Sequence, residues 1–131
     1  MRKGGHIDMD VGQGNANALW QQAASGTFRM ERGAAEECAK VYTRLVDTVL
    51  EPLVDKSERL SRVSGFGDFA SAQELQAGFA TKGGATTEAL TGLMEAALRM
   101  AAAFLQAGGA FEEADAMNRR AIDAAWKAPK Q

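Results

Sequence analysis

The side chains in this sequence that could do chemistry are carboxylates standing close together: Glu36 beside Glu37, Glu112 beside Glu113, and Asp115 two residues further on. Paired carboxylates can divide general-acid and general-base work, or hold a divalent cation. A di-iron site in a helical bundle needs more than that, namely glutamates with Glu-x-x-His spacing on core-facing positions. The one histidine, His6, lies in a polar N-terminal stretch. The same shortage excludes Ser/His/Asp and Cys/His nucleophilic sets. Cys38 has no second cysteine for a disulfide and no cluster of thiols or imidazoles for a metal, so it reads as a small buried helical residue. Glycine-rich pieces such as "GQGNAN" lack the preceding strand and the Lys-Ser/Thr pair of a phosphate loop. The sequence therefore predicts no catalytic residue, no metal, no cofactor and no enzymatic activity.

Composition narrows the partners. The chain has 131 residues, 46% hydrophobic and 24% charged, the range of one ordinary globular domain. Its formal net charge is -2, from interspersed charges of both signs, which disfavours nucleic acid held on a broad basic surface. The basic start of "MRKGGHIDMDVGQG" is followed by no apolar run, so the core of a general secretory signal is missing. No later segment approaches the roughly 20 apolar residues of a membrane helix. The expectation is a chain made in the cytoplasm, without membrane insertion.

Abundant alanine, sparse β-branched residues and two prolines, Pro52 and Pro129, favour helix over sheet. A short first helix is predicted over 15–25, stopped by Gly26. A long one follows from about Glu31 to Val63. Ala34, Cys38, Val41, Leu45, Val49, Leu53, Leu60 and Val63 recur on it at spacings of three and four, with Val46 and Leu50 widening the apolar stripe. Pro52 falls inside it, so a kink or break is predicted near Thr48 to Glu51. Gly65, Phe66 and Gly67, in "SGFGDFAS", mark a chain reversal near 64–70, with Phe66 and Phe69 plugging the end of the bundle. A second long helix then carries Leu75, Phe79, Thr86, Leu90, Leu93, Ala97, Met100, Phe104, Ala107 and Phe111 along one side, weakened by the glycine pair at 83–84, where a bend or fray is expected.

The predicted fold is all-α: an elongated antiparallel hairpin of two long helices with a short extra N-terminal helix, closing into a four-helix bundle on dimerisation. Residues 1–14 and 127–131 are read as tails around one domain, 15–126. Alanines 96, 97, 101, 102 and 103, set among Met94, Leu98 and Met100, make nearly the whole circumference of the second long helix apolar or small. Such a segment is usually buried on more than one side, against either a second chain or the N-terminal helix. The residues expected at a partner interface are Leu90, Leu93, Ala97, Met100 and Phe104.

With a hairpin of helices, the glycine- and aromatic-bearing turn "SGFGDF" and the late element "FEEAD", the chain resembles, over roughly residues 15–120, the small helical-hairpin substrates and accessory proteins of actinobacterial type VII (ESX) secretion, relatives of the Trp-X-Gly family. Phe66 and Gly67 stand adjacent where that family has Trp-X-Gly, and Phe111 stands where its aromatic-x-x-x-acidic element usually has Tyr or Trp. The resemblance implies a non-enzymatic secretion substrate or targeting partner, with Phe111 and Asp115 as the export or docking element. It also implies a homodimer or a heterodimer with a related helical protein or effector, recognition by the secretion ATPase, and export from the cytoplasm. The alternatives are a cytoplasmic adaptor or chaperone for a toxin or effector that is never exported, and a purely structural self-assembling bundle.

Overall fold

The computed structural model describes residues 12–62, 67 and 70–126, and every element among them is helical. Residues 1–11 of the predicted tail 1–14, the predicted tail 127–131, Val63 at the predicted end of the long helix, and Gly65, Phe66 and Phe69 of the predicted reversal lie outside the described residues, while Gln13 and Gly14 of that tail belong to the first helix. Gly67 is described, at φ +103°.

Helix α1 spans Gln13–Ala24, beginning two residues before the predicted start. It stops as expected at Gly26, whose φ of +83° is the left-handed conformation that a glycine adopts without strain. The Phe28 amide reaches back to the Gln22 carbonyl at 3.0 Å to close the turn. Helix α2, Arg32–Leu45, is started by Glu31, whose extended backbone lets its carboxylate accept the Ala34 amide at 2.9 Å.

From Lys40 the sequence runs in blocks of four: KVYT, RLVD, TVLE, PLVD. The third residues, Tyr42, Val46, Leu50 and Val54, face inward, with Val46 at 0% exposure. The second residues, Val41, Leu45, Val49 and Leu53, face outward, with Val41 64% and Val49 43% exposed. The stripe predicted as core is thus the outer of two apolar rows, and the inner row lies one residue on; Ala34 is exposed and Ala35 buried for the same reason. A four-residue repeat creeps about 40° round a helix of 3.6 residues per turn at each step, so both rows should spiral away from their faces. The break predicted at Pro52 counteracts this. It takes the form of a π turn, Val46–Leu50, immediately before α3, Glu51–Ser61, with Pro52 in its first turn. A wider turn takes in the additional residue and keeps the carbonyls clear of the ring of a proline that has no amide to donate.

Helix α4, Ala70–Ala107, is the centre of the molecule. Among the described residues, apart from elements consecutive in the chain, the helix backbones come close only where α4 is one of the pair: α1, α2 with its π turn, α3 and α5 each pack on it. The alanine circumference explains this. Ala96, Ala97, Ala101, Ala102 and Ala103 are all buried and let neighbours approach on several sides. Along α2–α3 and α4 the contacts run in opposite directions: Ser57 bonds Thr87, Tyr42 stacks on Phe104 at 5.9 Å, and Ala35 abuts Gly108.

Two expectations for this part of the chain need correcting. The glycine pair at 83–84 interrupts nothing, because Gly83 is buried in the continuous helix and its carbonyl accepts the hydroxyl of the buried Thr87 at 2.9 Å. The helix ends instead at Gly108–Gly109, where Gly109 has φ +79°, and a separate helix α5, Phe111–Trp126, folds back on α4 through Ala114, Ala121 and Ala124. Phe111 therefore opens α5 and does not prolong the stripe of α4.

The inner and outer rows differ measurably in what they stabilise. Val46→Ala should lower stability by about 2 kcal/mol, and Val49→Ala by less than about 0.5 kcal/mol, in urea unfolding of the chain alone. Two glycines give opposite signs in the same assay. Gly108→Ala drives a methyl group into Ala35 and to 3.3 Å from the Arg32 Cα, a clash that should remove about 1–3 kcal/mol. Gly78→Ala meets nothing within 4 Å in mid-helix, and should add about 0.5–1 kcal/mol.

Candidate functional site

The turn at Gly108–Gly109 brings Phe111 and Asp115 to the first turns of α5, and both are exposed. Being four apart on one helix, they share a face. Phe111 is 61% exposed, and Asp115 pairs with Arg119 at 2.7 Å, one turn on. The face continues past the predicted element: Ile122, seven residues after Asp115, and Trp126, four further on, are 47% and 70% exposed. The inward face is built from Ala114, Ala121 and Ala124 with Met117 half-buried beside them. In a surface helix the large apolar residues ordinarily face the core. In α5 Ala114, Ala121 and Ala124 face inward with Met117, whereas Phe111, Ile122 and Trp126 face outward.

Phe111 stands between two open grooves. One, about 340 Å³, is lined by the end of α1 (Ala23, Ala24, Ser25), by Gly26 and Arg29, and by Gln106 and Ala107 of α4. The other, about 480 Å³, is lined by Arg32 and Glu36 of α2 and by Glu112 and Glu113 of α5. Arg32 ties the two helices together, reaching Glu36 at 3.4 Å and Glu113 at 3.1 Å. Donating hydrogen bonds first to the Glu36 carboxylate and then to that of Glu113 holds its guanidinium even more firmly protonated than usual. Further along, Arg120 of α5 pairs with Asp47 at 2.9 Å. The start of α5 is therefore fixed to the start of α2, and Phe111 projects from a braced end.

The paired carboxylates do not assemble. Glu36 and Glu113 share Arg32, and among the described residues no three His, Cys, Asp or Glu side chains cluster as metal ligands would. Cys38 is half-buried near the outer row of α2. No described helix is long and apolar enough to cross a membrane.

Of the residues predicted to meet a partner, Ala97 is buried and Leu90, Leu93, Met100 and Phe104 are half-buried. Ala97 belongs to the core with Val46, Leu50 and Val54, and Leu90 and Leu93 pack against it. Phe104 lies between the stacked ring of Tyr42 and the edge of Phe28 at 6.1 Å, and Met100 is half-buried. Alanine neighbours bring α1 and α2 close enough to cover this side of α4. Of the two occupants weighed for the alanine belt, the N-terminal helix is there, joined by α5, which was not foreseen as a separate helix. Ile122 and Trp126 were missed for the same reason. Their signal was available: alanines at 114, 121 and 124 with large apolar residues on the opposite side. Compared with protein-family models, curated proteins and solved structures, the chain matches none of them.

Proposed function

We propose that the chain is a non-enzymatic substrate or targeting partner of a type VII (ESX) secretion pathway, docking through Phe111 and Asp115. The observation that carries this reading is the inverted polarity of α5. Phe111, Ile122 and Trp126 lie outward on the helix that begins with "FEEAD", while alanines form its inner face. Exposed aromatic and aliphatic residues in a row are what a recognition groove on another protein takes up. The brace through Arg32 presents Phe111 from a fixed position, which lowers the entropy lost on docking.

In this reading α2–α3 and α4 are the two arms of an elongated hairpin reversing across residues 62–69. A second helical chain, identical or different, completes a four-helix bundle. Its contact lies on the outer row Val41, Leu45, Val49 and Leu53, which is exposed, whereas Leu90, Leu93 and Ala97 pack in or against the core and Phe104 stacks on Tyr42. The protein is made in the cytoplasm and passes to the secretion ATPase. A second reading, a cytoplasmic adaptor or chaperone that keeps a toxin or effector soluble without being exported, is favoured by that same exposed row, which needs a partner and no export machinery.

Phe111→Ala and Asp115→Ala, singly and together, separate the two. Both residues are exposed, so each variant should unfold within about 0.5 kcal/mol of the parent. In a host with the pathway, the double variant should accumulate in cells and fall at least about tenfold in the medium and in capture by the ATPase. Undiminished secretion and capture of the double variant would remove the export role of this element. Absence of the parent protein from the medium, with a partner still bound, would favour the adaptor.

A further inference from the structure

A line of cations runs beside the outer row of α2–α3. Lys40 precedes Val41 by one residue, Arg44 precedes Leu45 by one, Lys56 follows Leu53 by three, and Arg59 precedes Leu60 by one. At 3.6 residues per turn these offsets put all four on the same flank of the row. Asp47, Glu51 and Asp55 each follow a row residue by two, which puts them on the far side of the helix. Lys40 reaches Glu37 at 3.5 Å, whereas Arg44, Lys56 and Arg59 have no ion-pair partner among the described residues. In a chain with 17 acidic against 15 basic residues, this is a local electropositive edge laid against exposed apolar surface.

We propose that this edge is the docking site for an amphipathic helix of another protein whose apolar stripe is bordered by carboxylates. The proposal rests on the reading that the chain works through a helical partner, and it specifies that partner's chemistry. From Val41 to Leu60 the edge runs about 29 Å at 1.5 Å per residue, the length of an ordinary long helix. Residues four apart form the ridge that packs into the groove of a facing helix, and the π turn holds that ridge in line. Burying the row brings Arg44, Lys56 and Arg59 to the rim of the contact, where carboxylates satisfy them and basic residues are repelled. A lipid surface fits less well. The row carries valine and leucine with no aromatic anchor, and the chain's net charge of -2 gives no general attraction to anionic headgroups.

The test uses the full chain and two designed helical peptides of about 21 residues. Both carry the same Leu/Ile stripe, bordered by Glu in one and by Lys in the other, and fluorescence anisotropy reads their binding. The Glu-bordered peptide should bind at least about tenfold more tightly than the Lys-bordered one. Arg44→Glu with Arg59→Glu should reverse that order. Val49→Gln with Leu53→Gln should weaken both peptides about tenfold while circular dichroism still reports the folded helices.

Equal binding of the two peptides, or an order unchanged by the charge reversal, overturns the proposal. So does binding to phosphatidylcholine/phosphatidylserine vesicles without binding to either peptide, which assigns the edge to lipid. A concentration-dependent dimer in sedimentation, lost in Val49→Gln with Leu53→Gln, overturns it in favour of a second copy. Phe111→Ala lies off this edge and should leave the peptide order intact. Secretion that depends on Phe111 without any peptide preference would therefore sink this proposal alone, and the converse result would sink the export reading alone.

Discussion

The close approach permitted by alanine on α4 is the constraint from which the other features follow. Ala96, Ala97, Ala101, Ala102 and Ala103 leave so little side chain around the helix that α1, α2–α3 and α5 can all lie against it. Larger residues at those positions would hold the neighbours apart and open voids that a chain this size has no spare side chains to fill. The same economy recurs on the facing helices, where Ala16, Ala23, Ala35, Ala39, Ala114, Ala121 and Ala124 form much of the inward surface. Because small residues suffice for the interior, valine, leucine, phenylalanine and tryptophan remain for the exterior. The small-residue core and the exposed apolar faces thus share one cause.

The blocks of four in α2–α3 show how a repeat and a helix of different period are reconciled. Each block contributes one apolar residue to α4 and one to the outside. Without the wide turn before Pro52 the two rows would rotate out of alignment over the four blocks; with it, Val46, Leu50 and Val54 remain against α4 while Leu45, Val49 and Leu53 stay exposed. Proline at position 52 therefore serves both faces. It keeps the inner packing continuous and leaves the outer row as a ridge with a consistent charged border.

Helical class, the first helix, the stop at Gly26 and the disturbance before Pro52 were legible from composition and spacing. Which of two adjacent apolar rows is buried was not, since Leu45 and Val46 satisfy the same periodicity and differ only in what faces them. Nor was the end of α4 legible. Two glycine pairs occur in that half of the chain, and tertiary contact decides between them: Gly83 is buried in a helix stitched by Thr87, whose hydroxyl also bonds Ser57 of α3, while Gly108 lies where Ala35 leaves no room for a methyl group. Propensity treats the pairs alike. At the candidate site, Phe111 and Asp115 were singled out through the resemblance to an aromatic-x-x-x-acidic element, and the exposed face they share with Ile122 and Trp126 needed knowledge that α5 is a separate helix with an alanine interior.

The radial arrangement also bears on how the molecule opens. Two ion pairs tie α5 to α2 and to its π turn at the surface, whereas among the described residues the backbone of α1 comes close to that of α4 alone, so α1 can peel away without dragging the other helices. Amide protons of α1 would then exchange through a local excursion, and those in the middle of α4 only when the whole assembly lets go. A protein wired this way can lend out one spoke while the hub stays closed.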